Sequence, residues 1–318
     1  MHKFILRSLL SACTALAMAS GAHAADTIKL IVPFSAGGPT DQIARIIAPG
    51  LSDALGKTVI VDNRGGAGGV IGDALAAKAP PDGNTLLLTT SSLVITAGTT
   101  PNLPYNPRTD FDPIYLLGKV QTMLAVRPSL GVNTLAELVA KAKATPKGLN
   151  YGSTGVGGTM QIGAELFRHA ADVPLVHIPY RGAAPALVAL MGGQVDLVNA
   201  DVPVLLPYVK QGRIKGLVIY DTKRSPLLPE IPDAVEAGMP SLQMSNWYGV
   251  LAPAGTPAAT RKKIEDALAK VVHQPDVAAK LAAAGFNDPM GAAPFKAMLD
   301  SSFERWLPWL KKMGIHTN

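Results

Sequence analysis

The sequence predicts an α/β chain of two lobes with parallel-rich sheets, and three observations carry that prediction. Short apolar runs alternate with segments of helical period along most of the 318 residues. Twice, a strand end turns through a cluster of glycines directly into a helix. After about residue 252 the alternation stops and only helical segments follow.

The elements follow in order. Ile28–Pro33 is a strand, and Phe34–Pro39 is the loop that leaves it. Ile43, Ile46, Ile47, Gly50, Leu51, Ala54 and Leu55 recur at helical spacing; the phase survives Pro49, which reads as one kinked helix. Thr58–Val61 is a strand, a Gly-rich turn opens the helix Gly69–Ala79, and Thr85–Thr89 is the next strand. Pro101, Pro104, Pro107 and Pro113 mark a connection. Beyond it lie the strand Gln121–Val126 and a helix opened by the capping box Thr134–Glu137. Strands at Leu149–Gly152, Val176–Pro179, Val195–Val198 and Leu217–Tyr220 alternate with helices at Thr159–Ala171, Ala183–Met191 and Val202–Lys210. Asn246–Ala252 is the last strand, before helices at Thr256–Val272, Asp276–Ala284 and Pro294–Met313. If that tail packs on the first unit, the chain crosses between units near Leu117–Gln121 and Gln243–Tyr248. Residues 25–120 with 248–318 then form one lobe and 121–247 the other, and two lobes on two strands make a hinge.

Residues 1–24 read as a cleavable secretory signal: His2, Lys3 and Arg7, an apolar run Leu9–Ala19, and the small-x-small site Ala22-His23-Ala24. The run is too short to span a bilayer, which takes about 20 apolar residues. Leu10-Ser11-Ala12-Cys13 also resembles a lipoprotein cleavage box, but Arg7 leaves few apolar residues before Cys13 and the apolar run continues past it. Cleavage after Ala24 removes Lys3, Arg7 and the one Cys, so the net charge falls from +6 to about +4. A Cys-free exported chain suits an oxidising periplasm and has no disulfide or thiolate metal site. The basic residues form no cluster, which argues against nucleic acid as a partner.

The two glycine loops are the candidate binding site. Phe34, Ser35, Ala36, Gly37, Gly38 and Thr40 belong to the first, and Ser153, Thr154, Gly155, Val156, Gly157 and Thr159 to the second. A helix N-terminus reached through glycines offers unpaired N–H groups and a positive dipole end, so it binds anions without a cationic side chain. In open parallel sheets, ligands bind beyond the carboxyl ends of the strands. One loop from each lobe, facing across a cleft, would hold a carboxylate from both sides. Asp41 would repel an anion and is read as a cap on backbone N–H groups. Arg64 and Arg181 are cationic candidates for the far end of a ligand; Arg64 could instead anchor its glycine turn, and Arg181 could lie at the rim. Asp201, if it points into the cleft, would accept from an ammonium or hydroxyl group and disfavour a second carboxylate.

Other chemistries lack their residues. The second loop has no Gly-x-Gly-x-x-Gly spacing and no P-loop ending, so no nucleotide cofactor is implied. His169, His177, His273 and His316 have no metal-ligand spacing. His177 reads as a packed or hydrogen-bonded strand residue. Ser153 lacks a Gly-x-Ser-x-Gly frame, and no His/Asp set follows for it from spacing. Trp306, Trp309 and Leu310 read as one buried helix face, and Trp247 as a wedge at the crossing.

Six motifs stand in order: Pro33-Phe34 with Gly37-Gly38-Pro39-Thr40-Asp41, Asn63-Arg64 with Gly66-Ala67-Gly68-Gly69, Pro179-Tyr180-Arg181-Gly182, Gly193-Gln194-Val195-Asp196, Trp247-Tyr248-Gly249, and Ala252–Pro257. Together they closely resemble the Bug family of periplasmic solute-binding proteins, the TctC-like receptors of tripartite tricarboxylate transporters, over essentially the whole chain after residue 24. The resemblance implies a type II periplasmic-binding fold and a monomeric receptor. Its ligand would be a small di- or tricarboxylate, amino acid or aromatic acid, handed to a membrane permease. It also implies contact through both loops, partly by ordered water, with Asn199, Ala200 and Asp201 at the far side of the ligand. Val156, Gly158 and Gln161 stand where many relatives carry Asn, Thr and His, Gln42 where an apolar residue is frequent, and Gly65 where Pro is common. These departures stop any relative's ligand from transferring directly. A sensor that reports closure to a signalling partner, or an exported α/β enzyme, are the alternative readings.

Overall fold

The computed structural model describes residues 27–315; the leader, Cys13 and His316 lie outside that range. Ten α-helices and ten strands follow one another among the described residues. The first part runs β1 (Thr27–Val32), α1 (Pro39–Leu55), β2 (Thr58–Asn63), α2 (Val70–Ala77), β3 (Thr85–Thr90), α3 (Ser92–Thr99) and β4 (Phe111–Val126). The middle part runs α4 (Leu135–Lys143), β5 (Leu149–Ser153), α5 (Thr159–Ala171), β6 (Leu175–Pro179), α6 (Ala183–Met191), β7 (Leu197–Asp201), α7 (Val202–Lys210) and β8 (Lys215–Ile219). Then come β9 (Ser245–Pro253), α8 (Ala258–Val272), α9 (Pro275–Ala283), β10 (Met290–Gly291) and α10 (Ala292–Met313). No helix among the described residues is long and apolar enough to cross a membrane.

The strand order repeats. On one side it reads β2-β1-β3-β9-β4, and on the other β6-β5-β7-β4, with β8 on β4's second edge. β1 pairs in parallel with β2 and β3, and β5 with β6 and β7, because each successive strand returns through a covering helix. The sheet is nevertheless mixed rather than parallel-rich throughout. β9 runs antiparallel to both β3 and β4, and β4 antiparallel to β7 and β8. β4 and β9 are the two segments expected to cross, and they lie side by side from Phe111↔Pro253 to Gln121↔Ser245.

Two expectations need revision. Pro113 does not end a connection: it lies inside β4, next to a register shift between Pro113 and Tyr115. A proline there removes an N–H where the ladder is already irregular. The segment after β3 is a helix, α3, buried on nearly every side, so no polar face marks its period.

Apolar packing fixes the strand ends in space. α1 presents Ile43, Ile47 and Leu51 to Ile264, Leu268 and Val271 of α8, over Leu30 and Val32 of β1. Phe295, Leu299, Phe303, Trp306 and Leu310 of α10 join α3, Trp247 of β9 and Phe167 of α5 in a second core. Trp247 meets Phe295 edge to face at 5.5 Å. Trp306 and Leu310 are buried, whereas Trp309 is only half-buried.

Candidate functional site

β1 is a central strand, and the chain leaves it through Pro33–Gly38. Gly37 takes φ 80°, and Gly38 is the extended N-cap of α1 with Pro39 in the first turn. Asp41, the third residue of α1, accepts the Gly37 N–H at 2.9 Å and the Arg45 guanidinium at 3.0 Å. Burial would raise the Asp41 carboxyl, but Arg45, the Gly37 amide and Asn63 outweigh it and hold it below the ordinary range. Asp41 thus accepts an amide of the loop just before the helix, and not one of the first-turn amides that a cap on the helix itself would take. Ser35, Ala36 and Gly37 are exposed, Phe34 and Gly38 half-buried and Thr40 buried. The segment after β2 supports this loop. Asn63 Nδ2 donates to the Phe34 carbonyl at 3.2 Å, and a Cβ on Gly65 would lie 2.9 Å from the Ser35 nitrogen.

The loop after β5, the corresponding central strand, repeats the same conformation. Gly157 takes φ 78°, and Gly158 is the extended N-cap of α5. The N–H of Gly38 reaches the Ser35 carbonyl, and that of Gly158 the Gly155 carbonyl, both at 3.3 Å. Gln161, third in α5, accepts the Gly157 N–H at 2.8 Å, as Asp41 does for Gly37. Each loop thus binds one amide to its own helix. By the geometry of helix starts, the first-turn amides, those of Thr40, Thr159 and Met160 among them, have no intrahelical partner. Thr154, Gly155, Val156 and Thr159 are half-buried, and Gly157 is buried.

Ser153 is fully buried, and its Oγ sits 2.6 Å from His177 Nε2, 3.0 Å from the Gly155 nitrogen and 3.1 Å from the Gly155 carbonyl oxygen. His177 stacks on Tyr151 with ring centroids 4.8 Å apart. Burial lowers the His177 pKa further than Glu165 raises it, which keeps the ring neutral at pH 7. Its second nitrogen, Nδ1, faces Gln161 Nε2 at 3.4 Å rather than a carboxylate.

The loops come together around Gly68 and Gly69. A Cβ on Gly68 would lie 2.8 Å from the Val156 carbonyl oxygen, and one on Gly69 3.6 Å from the Phe34 ring. A Cβ on Gly157 would meet Thr99 Oγ1 at 2.8 Å and Thr96 of α3 at 3.3 Å. The third predicted segment divides between two faces. Asn199 and Asp201 share one face of β7, while Ala200 packs into the apolar cluster on the other with Met123. Asn199 lies beneath α5, against the Cα of Gly163, and its side-chain oxygen and nitrogen have no partner among the described residues.

Asp201 is buried and engaged. Its Oδ2 accepts the Tyr248 hydroxyl at 2.5 Å and Asn246 Nδ2 at 3.1 Å, and Asn246 in turn accepts the Ser91 hydroxyl. Burial pushes the Asp201 carboxyl up to about 6 against those two donors. β7, β9 and the start of α3 are thereby joined by one polar chain. Arg64 is exposed and paired with Asp62 at 2.8 Å, and Arg181 is exposed in the turn before α6. Sequence reasoning named Gly65, Gly68, Gln161 and Tyr248 only as motif positions or departures from the family pattern, and Asn246 only as a strand residue, without giving any of them a part in this region. The strand-then-glycine run Asn63–Gly69 carried the same signal as the two chosen loops. Asn246 was marked only by being polar in an apolar strand.

The chain matches the family model of the tripartite tricarboxylate transporter family receptor, TctC, over residues 43–315. It is 33% identical to Protein BugT of Bordetella pertussis over 92% of this chain and 90% of that protein. It is 34% identical to the UPF0065 protein in the tcbD-tcbE intergenic region of Pseudomonas sp. strain P51, over 92% of this chain and 87% of that one. Among solved structures, MatC from Rhodopseudomonas palustris with bound malate has a TM-score of 0.84 at 30% identity, covering 90% of this chain and 99% of that one. R. palustris Rpa4515 with adipate has a TM-score of 0.87 at 32% identity, covering 93% and 100%. Periplasmic binding protein BugD has a TM-score of 0.85 at 30% identity, covering 92% and 99%. With the glycine-loop geometry, these likenesses make the chain a member of the TctC family of solute-binding receptors.

Proposed function

We propose that this receptor captures a small dicarboxylate between the loops after β1 and β5 and hands it to a tripartite tricarboxylate transporter permease. The carrying observation is the shared conformation of the loops, each with an N–H bound by the third side chain of its helix. Ser35, Thr154 and Thr159 add hydroxyl donors, Phe34 and Val156 supply apolar walls, and the first-turn amides receive the carboxylate. The malate and adipate in the two R. palustris structures favour a diacid over the amino acids and aromatic acids also compatible with the family. Residues 25–120 with 248–318 act as one lobe and 121–247 as the other, closing about β4 and β9. The protein works as a monomer in the periplasm after loss of residues 1–24, and returns its ligand chemically unchanged.

The deciding experiment is mass spectrometry of the denatured purified protein for a retained acid. It is followed by thermal unfolding of the stripped protein with malate, adipate, citrate, aspartate and benzoate. At a hundredfold excess over Kd, a ligand adds about 2.7 kcal/mol to the folded state, and malate or adipate should raise Tm clearly. A folded, ligand-free protein whose Tm none of the acids moves would overturn the reading.

A further inference from the structure

The side chains behind the second loop form a closed chain of hydrogen bonds whose directions are fixed by one backbone group. The Gly157 N–H can only donate, so the Gln161 atom 2.8 Å away is the amide oxygen. The Gln161 NH2 group therefore faces His177 Nδ1 at 3.4 Å, and Nδ1 must be the unprotonated acceptor. The ring proton is then on Nε2, which donates to Ser153 Oγ at 2.6 Å. Ser153 passes its own proton to the Gly155 carbonyl at 3.1 Å and accepts the Gly155 N–H at 3.0 Å. Each of these five contacts thus pairs one donor with one acceptor. A histidine that donates to serine is also no general base for it, so the Ser153–His177 contact is a brace and not a nucleophile with its activator.

We infer that His177 is a positioning residue for ligand capture: with Gln161 on one ring nitrogen and Ser153 on the other, it sets the glycine loop Gly155–Gly158 in its anion-binding shape. This rests on the proposed role of that loop. The inference has a consequence in acid. An imidazolium carries a proton on Nδ1 as well, which faces the Gln161 NH2 group, donor against donor. Turning the Gln161 amide over relieves that clash but points its NH2 group at the Gly157 N–H, a second clash. No orientation of Gln161 satisfies both, so protonation releases the loop. Tyr151 of β5 stacks on the ring and Glu165 of α5 acts on it by charge, while Arg168 and His169 of α5 reach it only through Glu165. Glu165 accepts Tyr151 at 2.6 Å and Arg168 at 2.6 Å, so its charge is shared before it acts on His177. Arg168 also contacts His169 at 2.8 Å, and burial lowers the His169 pKa.

The test compares the full-length receptor after signal removal with His177→Phe, which preserves stacking on Tyr151 but removes both ring nitrogens, and with His177→Gln, which restores an amide donor. Binding of malate and adipate is measured calorimetrically from pH 5 to 8, and His177 and the Gly155 and Gly157 amides are followed by nitrogen NMR without ligand. The expected result is an Nε2–H tautomer at pH 7.5, with both amides shifting as His177 titrates below its usual range. Affinity should weaken over the same pH interval. His177→Phe should bind about tenfold or more weakly at pH 7.5 with a flat pH profile, and His177→Gln should recover part of the loss. An Nδ1–H tautomer, or a His177→Phe protein with wild-type affinity and pH profile, overturns the inference. If the wild-type protein binds neither acid, the dicarboxylate reading fails, and the tautomer and amide titration still decide the role of His177.

Discussion

Replacing Gly68 by alanine separates the cost of backbone strain from the cost of holding the two loops together. Gly68 has φ 66°, in the left-handed region, where a Cβ costs roughly 1–2 kcal/mol. That cost is the same with and without ligand, and cancels from the binding equilibrium. The added methyl would also stand 2.8 Å from the Val156 carbonyl oxygen, whereas ordinary contact begins at 3.4 Å. The obstacle is backbone and not the end of a flexible side chain. The second loop must therefore withdraw by about half an ångström when the two loops are apposed, and the amides proposed to receive the carboxylate move with it. A hydrogen bond to a charged group is worth about 1.5–3 kcal/mol, so losing one raises Kd roughly tenfold to a hundredfold. Gly56→Ala is the matched control. Gly56 has φ 65° at the end of α1, and a Cβ there meets nothing within 4 Å. Both variants should lose similar stability in urea unfolding, and only Gly68→Ala should lose affinity for malate or adipate in calorimetry. Wild-type affinity in Gly68→Ala would refute the apposition of the loops in the ligand-bound state.

Asp73 is fully buried with Tyr105 as a hydrogen-bond donor at 3.1 Å, and burial pushes its carboxyl up to about 7. The folded protein thus holds this proton where the unfolded chain has lost it. The Asp73 contribution to stability should be largest near pH 4 and decline towards pH 7, by up to about 4 kcal/mol; Asp73→Asn should remove that decline relative to wild type in urea titrations at successive pH values, and a difference from wild type that stays unchanged across pH would contradict it. Asp201, raised to about 6, adds a decline of the same sign between about pH 4 and 6. Tyr248→Phe removes one of its two donors, and should lower stability by about 1–3 kcal/mol at pH 7 and by less at pH 4; equal losses at both would argue against a charged partner. Gly65→Ala places a methyl 2.9 Å from the Ser35 nitrogen. It should weaken diacid binding several-fold while Tm changes by only a few degrees, as thermal melts and calorimetry would register.

Legibility followed sequence distance. The loop after β1 and the loop after β5 were readable because strand, glycines and helix are consecutive, and their shape is local. α3 was not, since Ser92–Thr99 is buried almost all round and shows no period. Pro113 hid the part of β4 before Gln121, because nothing local announces the register shift that tolerates it. The brace on Ser153 was beyond reach for another reason. His177 arrives there through the parallel register that sets Tyr151 opposite His177, and only a folded sheet fixes that register. Asp201 likewise meets Asn246 and Tyr248 across 45 and 47 residues of chain. Its place at the ligand's far side was an expectation from the family resemblance, and no local signal announced the hydrogen bonds it makes to β9.

The place of β9 between β3 and β4 also sets a timetable for the chain as it is made. β3 pairs with β1 soon after both have been synthesised, but its other edge waits for Tyr248–Leu251, and β4 waits for the same strand. Until then the first sheet has a gap at its middle, and Leu87 and Leu88 lack the neighbours that bury them. Contacts of such sequence separation form slowly, because a long loop must close before they return any free energy. Under the export proposed above, a chain that crosses a membrane as an extended polymer would gain from that delay. β9 is thus the last of the strands in the first sheet's centre to arrive, and it closes both open edges at once.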